Sequence, residues 1–144
     1  MSSLTADEKA TRSAEVMWAN DSASKSLGLV FKSVSPGRAV FALTVEERHT
    51  NGHNICHGGY IFTLADTAFA FACNSYNQVA VAQQNSITFV APGQLGDTLT
   101  ATAIEVNRAA RSGVYDATVV NQNGDTIALF RGNSRALNKT LFDE

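Results

Sequence analysis

An α+β fold is predicted for this chain, with antiparallel strands wrapped around one buried helix. Three observations predict it. Tyr60 to Tyr76 is long, rich in Ala and Phe, and apolar on nearly every face, as a helix buried on all sides should be. Four strand-like segments follow it without another helical pattern. Two more precede it, joined by the turn signal Ser35-Pro36-Gly37.

In chain order, Ala6 to Ser24 reads as a polar helix with sparse apolar positions at Ala14, Val16, Met17 and Trp18. Leu27 to Val34 and Arg38 to Val45 read as strands, and Ala39 to Val45 alternates as a half-buried strand does. Thr50 to Gly59 is a polar loop containing glycine, and the apolar helix follows. Val79 to Val90, Thr98 to Arg108, Gly113 to Asn121 and Thr126 to Leu137 complete the strands. Pro92-Gly93, Ala110 to Gly113 and Asn121 to Asp125 supply their turns.

The chain has 144 residues, 44% hydrophobic and 17% charged, which suits a globular domain with a substantial core. A net charge of -2, spread along the chain, argues against broad nucleic-acid or membrane-surface binding. The roughly 25 residues before Leu27 are too short and too mixed in charge for a DNA-binding domain. The first nine residues lack the apolar core of a secretion signal, and the longest apolar run is too short to cross a bilayer. Cys56 and Cys73 form no disulfide framework, so a reduced, cytoplasmic setting is expected.

Asp66 is the only formally charged side chain between Arg48 and Asp97, and it lies within the apolar helix. An ionised carboxylate there is costly without a partner, and no Lys or Arg lies within helical reach. It therefore needs either a structural partner, such as Thr63, Thr67 or a backbone amide, or a chemical task. Helical spacing puts Gly59, Phe62, Thr63, Phe69, Ala70 and Cys73 on its face. Gly58 and Gly59 open the helix. Their lack of Cβ atoms admits either a ligand or close packing, and the helix start offers unpaired N–H groups to a developing oxyanion. Asp66 lies eight residues beyond Gly58. Along one helix that is ~12 Å, too far for both to reach one carbonyl. Two such helices meeting antiparallel across a two-fold axis would bring Gly58 of one subunit to Asp66 of the other.

His53, Cys56, His57 and Cys73 include zinc-ligand types, but their spacing fits no familiar zinc template. Adjacent Cys56 and His57 are poorly disposed as nucleophile and base. His57 and Asn51 read better as residues that orient the loop or bind a carbonyl. Arg108, Arg111, Arg131 and Arg135 lie late in the chain, at or near strand ends, where they could meet phosphates or be simply solvated.

The stretch Asn51 to Gly59, continuing through Leu64-Ala65-Asp66-Thr67-Ala68-Phe69-Ala70, resembles the hotdog-fold acyl-CoA thioesterases, in particular their phenylacetate-degradation branch. Phe89 to Gly93, Gly96 to Ala103, Gly113 to Asp116 and Ala128 to Gly132 are similar too, so the resemblance runs from about Asn20 to about Ala136. It implies a long helix wrapped by an antiparallel sheet, paired into homodimers and usually dimers of dimers. The expected layout is a helical segment over residues 1–26 and one hotdog domain over 27–144.

By this resemblance the active site spans the subunit interface and takes an acyl-CoA substrate without metal or cofactor. Gly58 N–H would polarise the thioester carbonyl, Asp66 of the other subunit would be the catalytic carboxylate, and Asn51 and His57 would support the carbonyl and water. Substrate contacts are expected from Gly59, Phe62, Thr63, Gln83, Gln84, Arg111, Gly113 and Arg131. Phe62, Phe69 and Tyr60 either line an aromatic acyl pocket or belong to the core. Several relatives place Ser or Thr beside the catalytic water, early in the strand after the helix. Here Ala82-Gln83-Gln84-Asn85 stands there, so Gln83 or Gln84 takes that role or the role is absent. Hydrolysis of an aryl-acetyl-CoA, such as phenylacetyl- or hydroxyphenylacetyl-CoA, is the expected activity. A non-catalytic acyl-CoA-binding module and a hotdog-type enoyl-CoA hydratase are the alternatives.

Overall fold

The computed structural model describes residues 3–144; Met1 and Ser2 of the expected N-terminal segment lie outside them. Helix α1 spans Ala6–Ala19 and opens on a capping box. Thr5 Oγ1 accepts from Glu8 N–H at 3.1 Å, and Glu8 Oε1 accepts from Thr5 N–H at 3.2 Å. The helix expected over Ala6 to Ser24 is in fact two. Asp21 Oδ1 accepts from Ser24 N–H at 2.9 Å and caps a new helix, α2, over Ser22–Leu27. Gly28, with φ 87°, ends α2 in the left-handed conformation, so the first strand starts at Val30 rather than Leu27.

Strands β1 (Val30–Ser35) and β2 (Arg38–Thr44) precede a short 3-10 turn over Glu47–His49, and helix α3 then spans Gly58–Cys73. Asn74 stops α3. Its Nδ2 donates to the Ala70 and Ala80 carbonyls at 2.8 and 3.0 Å, and its Oδ1 accepts from Ala80 N–H at 2.9 Å. The same side chain thus fixes where β3 (Ala80–Phe89) begins. Strands β4 (Thr98–Ala109), β5 (Ser112–Val120) and β6 (Thr126–Ala136) follow.

The six strands form one antiparallel sheet in the order β1-β2-β4-β5-β6-β3. Helix α3 packs on its inner face, the helix-in-sheet arrangement expected. Small residues on that face, Ala39, Ala101, Ala103, Ala117 and Ala128, are all buried and leave room for the helix. Leu64, Ala65, Ala68, Phe69, Phe71 and Ala72 fill the helix side of the core. Helix α1 adds Trp18 to a ring cluster with Phe31, Phe41 and Phe71. Strand β3 is an edge strand, and Val81, Phe89 and Val90 on it or just beyond are about half exposed. Among the described residues, no helix is long and apolar enough to cross a membrane.

Candidate active site

Two features of α3 set up the chemistry. The first is its N-terminus. His57 is the N-cap, and its Nδ1 accepts from Gly59 N–H at 2.9 Å. The next two amides turn back to the His57 carbonyl, Tyr60 N–H at 3.0 Å and Ile61 N–H at 3.4 Å. The Gly58 N–H has no partner among the described residues, so one donor stands free at the positive end of a 16-residue helix. Gly58, Asn51, Ile55, Ile61, Phe89 and Val90 help line a cleft of about 450 Å³.

The glycines themselves have close neighbours. A Cβ on Gly58 would stand 2.9 Å from the tip of the Phe89 ring, which is about half exposed and free to turn aside, so this contact alone does not require glycine. A Cβ on Gly59 would stand 3.1 Å from His57 Nδ1 and crowd the cap. His57, Gly59, Tyr60 and Thr63 line a separate hollow of about 220 Å³.

The second feature is Asp66, two turns further on and half-buried. Among the described residues its hydrogen-bond partner is Asn85 of β3, whose Nδ2 donates to Asp66 Oδ1 at 2.8 Å. No ion pair reaches it among the described residues. Burial pushes the carboxyl above the ordinary carboxylate range, and the Asn85 hydrogen bond partly opposes that rise. Asn85 Oδ1 is buried and has no hydrogen-bond partner among the described residues.

Asn85 is the functional candidate that the sequence reading passed over. Gln83 or Gln84 was the expected neighbour of the catalytic water, unless that role is absent; both are exposed, and Gln84 Oε1 accepts from Asn133 Nδ2 at 3.2 Å. A β-bulge between Ala82 and Gln84 resets the alternation of β3. Counting back by twos from Phe89 and Ile87 reaches Asn85, a signal the sequence did carry.

The other expected residues scatter. Asn51 Oδ1 accepts from His53 N–H at 2.9 Å and shapes the loop leading to α3. Thr63 Oγ1 donates back to the Gly59 carbonyl at 2.9 Å. Phe62 is half-buried against Phe130, while Phe69 is fully buried core. Tyr60 packs edge-on to His49 and His57.

Arg131 is not free for a phosphate. Its Nε and Nη2 hold the two Asp116 oxygens at 2.6 and 2.8 Å, which keeps the Asp116 carboxyl below its usual range. The Arg108 guanidinium lies over the Tyr76 ring at 3.6 Å, beside Glu105. Arg111 is exposed at the β4–β5 turn. Gly113 is set close to Ser134 and Tyr115, where a Cβ would stand 2.7 and 2.8 Å away. Among the described residues, no three His, Cys, Asp or Glu side chains gather as a metal site would require.

Within one protomer Gly58 and Asp66 remain at opposite ends of ~12 Å of α3. An N–H donor and a carboxylate are the kinds of group that acyl transfer uses.

The model of the thioesterase superfamily matches residues 53–128. The acyl-coenzyme A thioesterase PaaI of Escherichia coli K12 is 48% identical over 136 residues, 94% of this chain and 97% of that protein. The structure of E. coli PaaI, from the phenylacetic acid degradation operon, superposes with a TM-score of 0.92 at 47% identity, covering 94% of this chain and 99% of that one. A Streptococcus mutans protein solved bound to acetyl-CoA superposes with a TM-score of 0.75 at 30% identity, covering 78% and 91% of the two chains. With its helix-in-sheet fold and these relatives, the chain belongs to the thioesterase superfamily, as a hotdog-fold acyl-CoA thioesterase of the PaaI-like branch.

Proposed function

We propose that this protein hydrolyses aryl-acetyl-CoA thioesters, such as phenylacetyl- or hydroxyphenylacetyl-CoA, at sites shared between two subunits. The observation that carries the reading is the separation of a free N–H at Gly58 from a half-buried carboxylate at Asp66 on one helix. Each is half of an acyl-transfer site, and an antiparallel meeting of two α3 helices joins the halves twice over. The exposed edge of β3, with Val81, Phe89 and Val90 beside it, is the surface through which a second copy would extend the sheet. Binding of acetyl-CoA by the S. mutans relative supports a CoA thioester as the substrate class, and the operon context of E. coli PaaI supports an aryl-acetyl group.

In the reaction, the Gly58 N–H stabilises the oxyanion formed at the thioester carbonyl. Asp66 of the facing subunit either takes a proton from the attacking water or attacks the carbonyl itself. The C–S bond then breaks, and CoA leaves as the thiol. The cleft beside Gly58, with Ile55, Ile61 and Phe89, offers apolar walls to the acyl group.

The test is thiol release from a panel of phenylacetyl, hydroxyphenylacetyl, short-chain, long-chain and enoyl CoA thioesters. Aryl-acetyl substrates should give the highest kcat/KM, and Asp66→Asn should lower kcat by ~100-fold or more with fold and assembly intact. Near-normal turnover by Asp66→Asn, or hydration of the enoyl thioester without thiol release, would sink the proposal.

A further inference from the structure

We propose that Asn85 positions the hydrolytic water for Asp66, its amide nitrogen fixing the carboxylate and its amide oxygen accepting the water's second hydrogen. The inference rests on the thioester-hydrolysis reading above and deepens it by choosing water attack assisted by Asp66.

Chemistry fixes the orientation of the amide. An ionised carboxylate only accepts hydrogen bonds, so the Asn85 NH₂ faces Asp66, as the 2.8 Å contact has it. The carboxamide oxygen must then point away from Asp66. It is buried and unmatched among the described residues, an unfavourable state for an acceptor unless something donates to it. A water between Asp66 Oδ2 and Asn85 Oδ1 would meet that need, because it carries two hydrogens for two acceptors. With both hydrogens held, its lone pair is aimed away from the pair, towards a carbonyl on the partner side.

The neighbouring hydroxyls on α3 are engaged elsewhere. Thr63 donates to the Gly59 carbonyl, and Thr67 Oγ1 lies 3.3 Å from Ser24 Oγ. Asn85 is also held in the strand ladder. It pairs in register with Gly132 of β6, and the Phe69 ring, one turn from Asp66, packs against Gly132. Among the described residues, Asp66 acts on the Cys73 thiol, which is pushed up to about 12 mainly by burial and is therefore neutral in the working range.

In the step itself, the water oxygen bonds to the carbonyl carbon as one hydrogen passes to Asp66. When the C–S bond breaks, that proton goes to the departing sulfur. Asn85 neither gains nor loses a proton. It is a positioning residue, and its loss should appear in kcat rather than KM.

The experiment compares wild type, Asp66→Asn, Asn85→Ala and the near-isosteric Asn85→Asp with phenylacetyl-CoA across pH, alongside melting temperature and assembly state. Asn85→Ala should lower kcat by ~100-fold with KM within about 3-fold of wild type. Its acid limb of kcat/KM should move to higher pH, because a hydrogen bond that favours the ionised carboxylate is gone. Asn85→Asp should move that limb further up, since it sets a second carboxylate beside the first. A limb that stays in place in both variants, or an Asn85→Ala loss that resides in KM, overturns the assignment. If wild type and Asp66→Asn behave as a thioesterase and its dead variant while Asn85→Ala turns over normally, only the Asn85 role falls. If wild type releases no thiol from any acyl-CoA, the parent reading falls with it.

Discussion

Replacing Gly132 by Ala should cost more than its size suggests. A Cβ there would stand 2.8, 2.8 and 2.9 Å from three carbons of the Phe69 ring. Carbon pairs prefer about 3.5–4.0 Å, so each contact is short by roughly 0.7 Å. The ring cannot swing aside. It is 1% exposed and held between Tyr115 and Phe130, with centroids 5.7 and 5.8 Å away. Relief requires β6 to part from α3, which puts the cost at the upper end of overpacking, about 3 kcal/mol. Losing a glycine from a strand returns about 1 kcal/mol, leaving a net destabilisation of about 2 kcal/mol. For 144 residues the unfolding entropy is about 0.3 kcal/mol/K, so Tm should fall by about 7 °C. The assay is thermal unfolding at matched protein concentration, because assembly couples to Tm. Phe69→Leu removes part of the ring, so the double variant should be more stable than the two single losses combined. A Gly132→Ala Tm within about 1 °C of wild type, or strict additivity with Phe69→Leu, would refute the packing argument.

Two further outcomes follow from the buried groups. The Asp66 carboxyl titrates above its unfolded value of 3.8, so the folded state binds its proton more tightly than the unfolded chain does. Its contribution to stability is therefore fully present below pH 3.8 and lost as pH rises through the folded value. Asp66→Asn should accordingly melt higher than wild type at pH 7, with the difference closing towards acid; an equal or lower Tm at pH 7 would contradict the burial argument. Cys56 and Cys73 are 3% and 6% exposed, and burial raises their thiols to about 11 and about 12. A thiol reagent at neutral pH should label the native protein very slowly and both cysteines at once after denaturation, whereas fast native labelling would count against the packing around them.

Much of the architecture was legible because single elements announced themselves. The Ala- and Phe-rich stretch of α3 has no polar face to expose, and the β1–β2 and β5–β6 turns carry Gly, Pro or Asn, although the β4–β5 turn is Ala110-Arg111 with Ala110 at φ 53°. What escaped was decided by side chains acting locally. Asp21 caps a new helix where periodicity reads straight through, and Gly28 delays β1 by turning left-handed. Asp66 stood out as an isolated charge, and Asn85 was reachable only by counting β3 back from Phe89, because the bulge between Ala82 and Gln84 breaks the alternation when the strand is read forward from the helix. Arg131 looked available only while its cross-strand neighbour Asp116 was unknown, and strand register is a tertiary fact. Gly58 illustrates a further limit, since the Phe89 ring that faces it lies 31 positions away along the sequence.

The eight-residue interval from Gly58 to Asp66 also acts as a ruler. In an antiparallel pairing of two α3 helices, the dyad must cross the helix at the midpoint of that interval, beside Phe62. Both proposed sites would then hinge on one fulcrum: a shift of one helix along the other would change both gaps together and by the same amount. The spacing within a single chain would thereby set the geometry of a site that no single chain contains, and Phe62 is where that geometry would be most sensitive to side-chain size.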